Sequence, residues 1–275
     1  MQFEVTAHTR VIFIAFVISV LTMMVFAVSA VSAKGVEENY ETGLIAYAEG
    51  DYSQAVEKFT LAAEQGDAGA QHMLMRLYSE GKGVSISAQQ THHWTKRAAE
   101  QGILQAQFAV AGQYHSGTGT EQNVKNAFHW YEKAAQQGHH MAIEKLAAFY
   151  EHGKVVKQDQ EKAQKLYLYA ASEYDVFAQK GDPASQNSLA LMYENGHGVG
   201  ANIVLAMNWY KRAALQDFAP SQFHLGRLLA EGDKVEQNIR EAAYWLEQAA
   251  AQGYTEAKEM LAQLRQDHGT TLAMR

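Results

Sequence analysis

A repeat of 36 residues runs through most of this 275-residue sequence and constrains its fold more than any other feature. A glycine or an aspartate closes each unit, at Gly66, Gly102, Gly138, Gly181, Asp217 and Gly253. Successive closing residues are 36 positions apart, except for a gap of 43 between positions 138 and 181. Units of this length each form one supersecondary element that stacks on its neighbours. The period therefore predicts a repeat protein rather than one compact core.

Residue types at fixed positions within each unit predict two helices joined by a turn. A glycine, which accepts positive φ, ends the first helix, at Gly81, Gly117, Gly153, Gly196 and Gly232. Six residues later a residue with a capping side chain begins the second helix, at Ser87, Asn123, Asp159, Asn202 and Asn238. Only two prolines interrupt a helix-favouring composition.

All four tryptophans occupy one position of the second helix, thirteen residues after the mid-repeat glycine. The residues at this position are Trp94, Trp130, Leu166, Trp209 and Trp245. A fixed repeat position is typical of core packing, so we expect buried indoles rather than a sugar-stacking surface.

The spacing divides the chain into seven segments after an N-terminal region. A shorter, tetratricopeptide-like unit is predicted at 34–66, and five repeats follow at 67–102, 103–138, 139–181, 182–217 and 218–253. A capping helix and tail are predicted at 254–275, because a solenoid must cover its last apolar face. The seven extra residues of the fourth segment, 172–178, are predicted to lengthen its second helix by two turns.

The first 33 residues predict either a signal peptide or a membrane anchor. Residues 11–31 are apolar and uncharged, which is long enough to cross a bilayer. They also end in small residues that offer cleavage points at Ala30 and Ala33. Arg10 precedes the segment, so the positive-inside rule exports the carboxyl part. The sequence therefore predicts either a periplasmic or secreted protein after signal cleavage, or an inner-membrane protein anchored through 11–31 with its repeats facing the periplasm.

Composition argues against several function classes. The net charge is −7 and no basic run exceeds two residues, so nucleic acid is not expected as a partner. Cysteine is absent, which excludes disulfides and thiolate metal sites. The twelve histidines form no metalloprotease motif, and neither a nucleophile elbow nor a Walker sequence occurs. We therefore expect no catalytic residues, no metal and no small-molecule cofactor.

The segments YSEGKGV, YENGHGVGANIVLAMNWYKRAALQD and NAFHWYEKAAQQG resemble the Sel-one-like repeat family, a relative of the tetratricopeptide repeats. The resemblance covers roughly residues 40–253. It implies an all-α, right-handed α-solenoid of about six helix-turn-helix repeats that acts as a non-catalytic protein-interaction scaffold, often in the bacterial envelope. Val155 and Lys234 replace the second loop glycine, which predicts a different loop shape at those two places.

Solenoids usually bind partners on the concave face, which first helices line. The variable positions of these helices give candidate binding residues, and these are His72, Arg76, Phe108, Glu144, Asn187, Phe223 and Arg227. Exposed aromatic and arginine side chains are frequent binding hot spots, although the two phenylalanines could instead pack against the next unit. The leading hypothesis is a groove that holds a peptide or helix of another envelope protein. The alternatives are a cell-wall (peptidoglycan)-related enzyme or enzyme accessory, and a structural spacer.

Overall fold

The structure is a computed structural model that describes residues 34–273, with side chains to residue 268. The predicted signal or anchor segment, 1–33, lies outside the described residues. Within them every regular element is a helix, which confirms the all-α prediction. The helices are α1 (34–49), α2 (Tyr52–Glu64), α3 (Ala68–Glu80), α4 (Ala88–Glu100), α5 (Leu104–Ser116), α6 (Val124–Gln136), α7 (His140–His152), α8 (Gln160–Gln179), α9 (Pro183–Asn195), α10 (Ile203–Ala214), α11 (Ala219–Glu231), α12 (Ile239–Ala251) and α13 (Thr255–Ala273).

These helices form six consecutive pairs followed by α13, as expected for a solenoid of about six repeats. The chain divides into two compact units, Met1–Ala127 and Phe128–Arg275. In the first unit α2 to α5 pack in chain order, and Phe59 and Leu74 are fully buried between them. In the second unit α7 to α13 pack in chain order around a continuous apolar core that includes Tyr210 and Leu246. Between residues 34 and 273 no helix is both long and apolar enough to cross a bilayer.

The helix ends follow the predicted signals. Each of the five mid-repeat glycines adopts positive φ, between 68° and 78°, and closes its first helix. The predicted capping side chains each accept a hydrogen bond from the amide three residues later, as Asp159 does from Lys162 at 2.9 Å and Asn202 from Leu205 at 3.0 Å. Free amides at a helix start need such acceptors. The turn chemistry read from the sequence is confirmed.

The tryptophans are buried, with exposed fractions of 5% to 8%, so the core-packing prediction is confirmed. A cation three residues after the indole lies over the ring in three repeats. These pairs are Arg97 over Trp94 at 5.8 Å, Lys133 over Trp130 at 4.6 Å and Arg212 over Trp209 at 4.5 Å. Residues three apart share a helix face, so each cation covers the ring of its own tryptophan.

Buried glutamines join neighbouring helix pairs, a device that the sequence analysis missed. The amide nitrogen of Gln222 donates to the Ala214 carbonyl oxygen at 3.1 Å, and Gln252 donates to the Gln222 side-chain oxygen at 2.9 Å. Equivalent glutamines that donate to the carbonyl eight residues earlier are Gln71, Gln107 and Gln186. Their recurrence at the repeat period was the available signal. Ile143 occupies this position in the fourth repeat.

Helix α8 has 20 residues, whereas the other second helices have 12 or 13, which confirms the predicted two-turn extension. Gly198, in the loop of the following repeat, approaches the backbone of Tyr167 and Leu168, eight residues into the helix. The equivalent Gly119 approaches Ala88, the first residue of α4. Residues 160–166 of α8 therefore precede the point at which the loop of the following repeat contacts this helix.

The structure adds detail to the sequence predictions at two places, the repeat loops and the carboxyl end. Among the described residues Asp217 is the one non-glycine with positive φ, so Val155 and Lys234 do not reproduce the backbone of the loop glycines they replace. The sequence predicts a capping helix to 268 and a tail at 269–275, whereas α13 continues to Ala273 with a non-helical residue at His268.

Candidate protein-binding surface

In the first unit, both candidates on α3 are exposed, and one of them, Arg76, carries charge. Arg76 bonds to the Glu80 carboxylate at 2.6 Å, and its guanidinium lies 5.9 Å from the centre of the Tyr47 ring. Half of the Arg76 side chain is open to solvent, and His72 is exposed one turn earlier. The ion pair is solvated, so both charges remain accessible to a partner.

Three residues outside the predicted set extend this surface. Lys82 bonds to the Glu80 carboxylate at 2.7 Å and lies 5.5 Å from the centre of the Tyr52 ring. Tyr52 in turn meets Tyr47 edge to face at 5.3 Å. Hydrogen bonds from Lys82 and then from Arg76 lower the pKa of Glu80. The two tyrosines and two cations form one patch, which we call the Tyr47–Lys82 patch.

Phe108 lies on α5 in the same unit and is half-buried. Its neighbours Gln107 and Val110 are buried, so α5 turns one face to the core and leaves the phenylalanine at its edge. A partly accessible ring can anchor a partner.

In the second unit, Arg227 is held inside the fold. It donates to Glu194 at 2.6 Å and to Glu231 at 2.7 Å, and only 22% of its side chain is exposed. The Glu194 side chain is 4% exposed and also accepts from the Tyr210 hydroxyl at 2.9 Å and from Lys234 at 3.1 Å. Burial alone would raise the pKa of Glu194, but hydrogen bonds from Arg227, Tyr210 and Lys234 outweigh burial and lower that pKa. Arg227 therefore stabilises a buried carboxylate.

Phe223 packs within the second unit. Its ring lies 5.2 Å from that of Tyr254 and 5.5 Å from that of His224, and it borders the apolar core. His224 also stacks on Tyr210 at 5.0 Å. Burial, followed by the nearby charge of Arg227, lowers the pKa of His224 to about 4. The packing interpretation of Phe223, left open by the sequence, accounts for these contacts.

Asn187 does not lie on an accessible surface, which corrects the sequence prediction. It is buried, and its side-chain oxygen accepts from the Ser221 hydroxyl at 2.8 Å. Glu144 is half-buried and accepts from the Tyr174 hydroxyl at 2.5 Å. Burial, and then the Glu144 charge, raise the pKa of Tyr174. Both side chains accept hydrogen bonds from neighbouring helices within the fold, as buried polar atoms require.

The polar groups do not converge on a metal or on a reacting centre. Over the part of the chain that the structure describes, no three histidine, aspartate or glutamate side chains are placed to hold a metal ion. The candidates thus separate into accessible residues, His72, Arg76 and Phe108, and internally engaged residues, Glu144, Asn187, Phe223 and Arg227. The arrangement offers surfaces for contact.

Stacked helix pairs with an exposed aromatic and charged patch define an α-helical repeat protein of the interaction class. The chain belongs to the Sel1 repeat family, since six segments match the Sel1 repeat, at 35–67, 68–103, 104–139, 140–175, 183–218 and 219–254. Proteins of this family are protein-interaction scaffolds that generally bind protein partners. The seven residues between the fourth and fifth matches, 176–182, reflect the longer α8.

Two of the solved structures that are similar to this chain are more than a quarter identical to it over the matched residues. A Sel1 repeat protein from Oxalobacter formigenes is 29% identical with a TM-score of 0.60, and the match covers 81% of this chain and 86% of that protein. A protective antigen present in uropathogenic Escherichia coli strains, which displays an SLR fold, is 29% identical with a TM-score of 0.57. That match covers 85% of this chain, which spans half the length of the antigen. A comparison with curated proteins found no match.

Proposed function

We propose that this protein is a non-catalytic scaffold of the bacterial cell envelope, exported or membrane-anchored, that binds another envelope protein. The observation that carries the binding proposal is the Tyr47–Lys82 patch in the first unit, where aromatic rings and cations lie together at the surface. Tyrosine and arginine are enriched at binding hot spots. His72 and Phe108 extend the accessible set on the first helices.

The envelope location is supported by the sequence of residues 11–31, which is apolar throughout, and by the glutamates at 37, 38 and 41 that follow it. The similarity to an E. coli protective antigen agrees with an exported protein. Protease treatment of spheroplasts tests this part of the proposal. Digestion of the repeats in intact spheroplasts is expected, and protection until the membrane is lysed would contradict export. Mass spectrometry of the purified protein separates cleavage near Ala33 from a retained anchor.

Affinity capture from an envelope extract tests the binding role. A discrete protein captured by the full-length chain is identified, purified, and its dissociation constant measured against the unmodified protein and two variants. Arg76→Ala should weaken binding at least tenfold, since it removes a hot-spot cation from beside the half-buried Tyr47 ring. The matched control is Arg240→Ala, on a second helix outside the patch. Equal affinities for both variants would refute the patch, and capture of peptidoglycan fragments alone would favour the cell-wall alternative.

A further inference from the structure

A groove between the second helices α6 and α8 departs from the repeat pattern. It has a volume of about 590 Å³, and Ile143, Leu146 and Leu166 contribute to its lining. Tyr169, which is 48% exposed, also lines it. The groove lies within the second unit and is distinct from the Tyr47–Lys82 patch of the first.

Two residues that line this groove differ in type from those at the same positions of the other repeats. Leu166 stands where the other repeats have tryptophan, and a leucine fills less space than an indole. Tyr169 stands three residues later, where Arg97, Lys133 and Arg212 lie over their tryptophans. The pair of an indole and a cation found at these positions in three other repeats is thus replaced by an aliphatic residue and a half-exposed aromatic ring.

A third substitution makes the floor of the groove apolar. Ile143 replaces the glutamine that joins the other helix pairs through Gln71, Gln107, Gln186 and Gln222. The polar clamp is therefore missing at this junction, whereas the other four of the five compared junctions have it. An open apolar groove with few polar groups is typical of a surface that receives an apolar side chain.

The charges that line the groove indicate what kind of side chain accompanies the apolar one. Lys165 pairs with Glu161 at 2.5 Å in a solvated ion pair. Glu132 is half-buried and has no ion-pair partner among the residues that the structure describes. Glu247 stands at the same repeat position in α12 and pairs there with Arg265 of α13 at 2.7 Å. The groove thus presents an uncompensated carboxylate at a position where another repeat uses an arginine carried by a helix.

We propose that the α6–α8 groove docks an amphipathic helix of another protein, which places a large apolar side chain beside Leu166 and a lysine or arginine beside Glu132. Residues three or four apart on one helix face present such a pair together. This site is separate from the first-helix surface, and each can exist without the other.

A selection of peptides tests the proposal. The full-length chain, in the processed form that cells yield, is screened with a displayed library of amphipathic helical peptides. Enriched peptides should pair an apolar residue with a lysine or arginine three or four positions away. They should bind at least tenfold more weakly to Leu166→Trp, which restores the residue of the other repeats and fills the groove. Glu132→Gln should weaken binding three- to tenfold and reduce its dependence on salt.

Two control variants and a second groove variant make the outcome decisive. Glu259→Gln removes an equal charge from an exposed position on α13 and should leave binding unchanged. Tyr169→Ala alters a half-exposed side chain and should also weaken binding, which keeps the test valid if Leu166→Trp does not fold. Arg76→Ala should leave peptide binding unchanged, so a failure of the first-helix surface remains distinguishable from a failure of the α6–α8 groove. A selection that enriches no peptide, or peptides that bind Leu166→Trp and Tyr169→Ala as well as the unmodified protein, would overturn the proposal.

Discussion

Two arginines at one repeat position should differ sharply in their contribution to stability. Arg76 and Arg227 each lie five residues before the glycine that ends their helix. Arg76 pairs with Glu80 in a solvated i,i+4 ion pair, which contributes little to stability. Arg227 bonds to Glu194, whose side chain is 4% exposed, so its removal leaves a buried carboxylate undercompensated.

Replacing Arg227 with methionine keeps most of the side-chain stem and removes the charge. Breaking a buried ion pair costs about 3–5 kcal/mol, and the bonds from Tyr210 and Lys234 that remain reduce this to about 3 kcal/mol. For a chain of this size that corresponds to a loss of about 6–12 °C in Tm. Arg76→Met should change Tm by about 2 °C or less.

Thermal unfolding followed by circular dichroism at several pH values measures both effects. Glu194 has a lowered pKa in the folded state, so its stabilisation is present above its ordinary pKa and is lost as pH falls through the folded value. In Arg227→Met the loss should begin at higher pH, because burial is then less opposed. Equal Tm values for the two arginine variants at pH 7, or an unchanged pH profile in Arg227→Met, would refute the assignment of Arg227 to the fold.

Three further substitutions test other features of the fold by the same unfolding measurement. Gln222→Leu should cost about 2 kcal/mol, because the Ala214 carbonyl loses its buried donor, and no change would show that the clamp is dispensable. Gly198→Ala should cost more than about 2 kcal/mol through positive φ and collision with α8, whereas Gly200→Ala, with open space around it, should be near neutral. The unmodified protein should lose up to about 3 kcal/mol of stability as the pH falls from 6.5 to about 4, because the depressed folded pKa of His224 stabilises the fold only above that window. His224→Gln should remove this loss. Parallel curves of stability against pH for the two proteins would contradict the prediction.

The sequence predicts the helix pairs well because their signals are local. A glycine that ends a helix, or an aspartate that caps one, acts on amides within four residues, so Gly153 and Asp159 mark a turn wherever they recur. The extra length of α8 was predictable for the same reason, since seven residues are close to two turns. The point at which the loop of the following repeat contacts α8, at Tyr167 and Leu168, was not predictable, because that contact joins separate repeats.

The candidate surface was predicted less well, because accessibility depends on partners in other repeats. The prediction that Asn187 is accessible rests on its variable repeat position, but the Ser221 hydroxyl that donates to its side chain lies 34 residues later. Tyr47 and Lys82 went unnoticed because the ring and cation contacts that join them to the surface come from separate elements. Period analysis compares one position across repeats, whereas these contacts join different positions of adjacent repeats.

The two arginines show how such contacts could be recovered from sequence. Glu194 stands two residues before the glycine that ends α9, and it meets Arg227 of the next first helix. The corresponding residue before Gly50, which follows α1, is Ala48, so Arg76 has no buried carboxylate to meet from that helix. Whether an arginine serves the fold or the surface is thus decided by the residue one repeat earlier. Ala48→Glu tests this rule, because it should give Arg76 a second ion-pair partner besides Glu80, raise Tm and weaken partner binding. Unchanged binding would show that the earlier residue does not control the arginine.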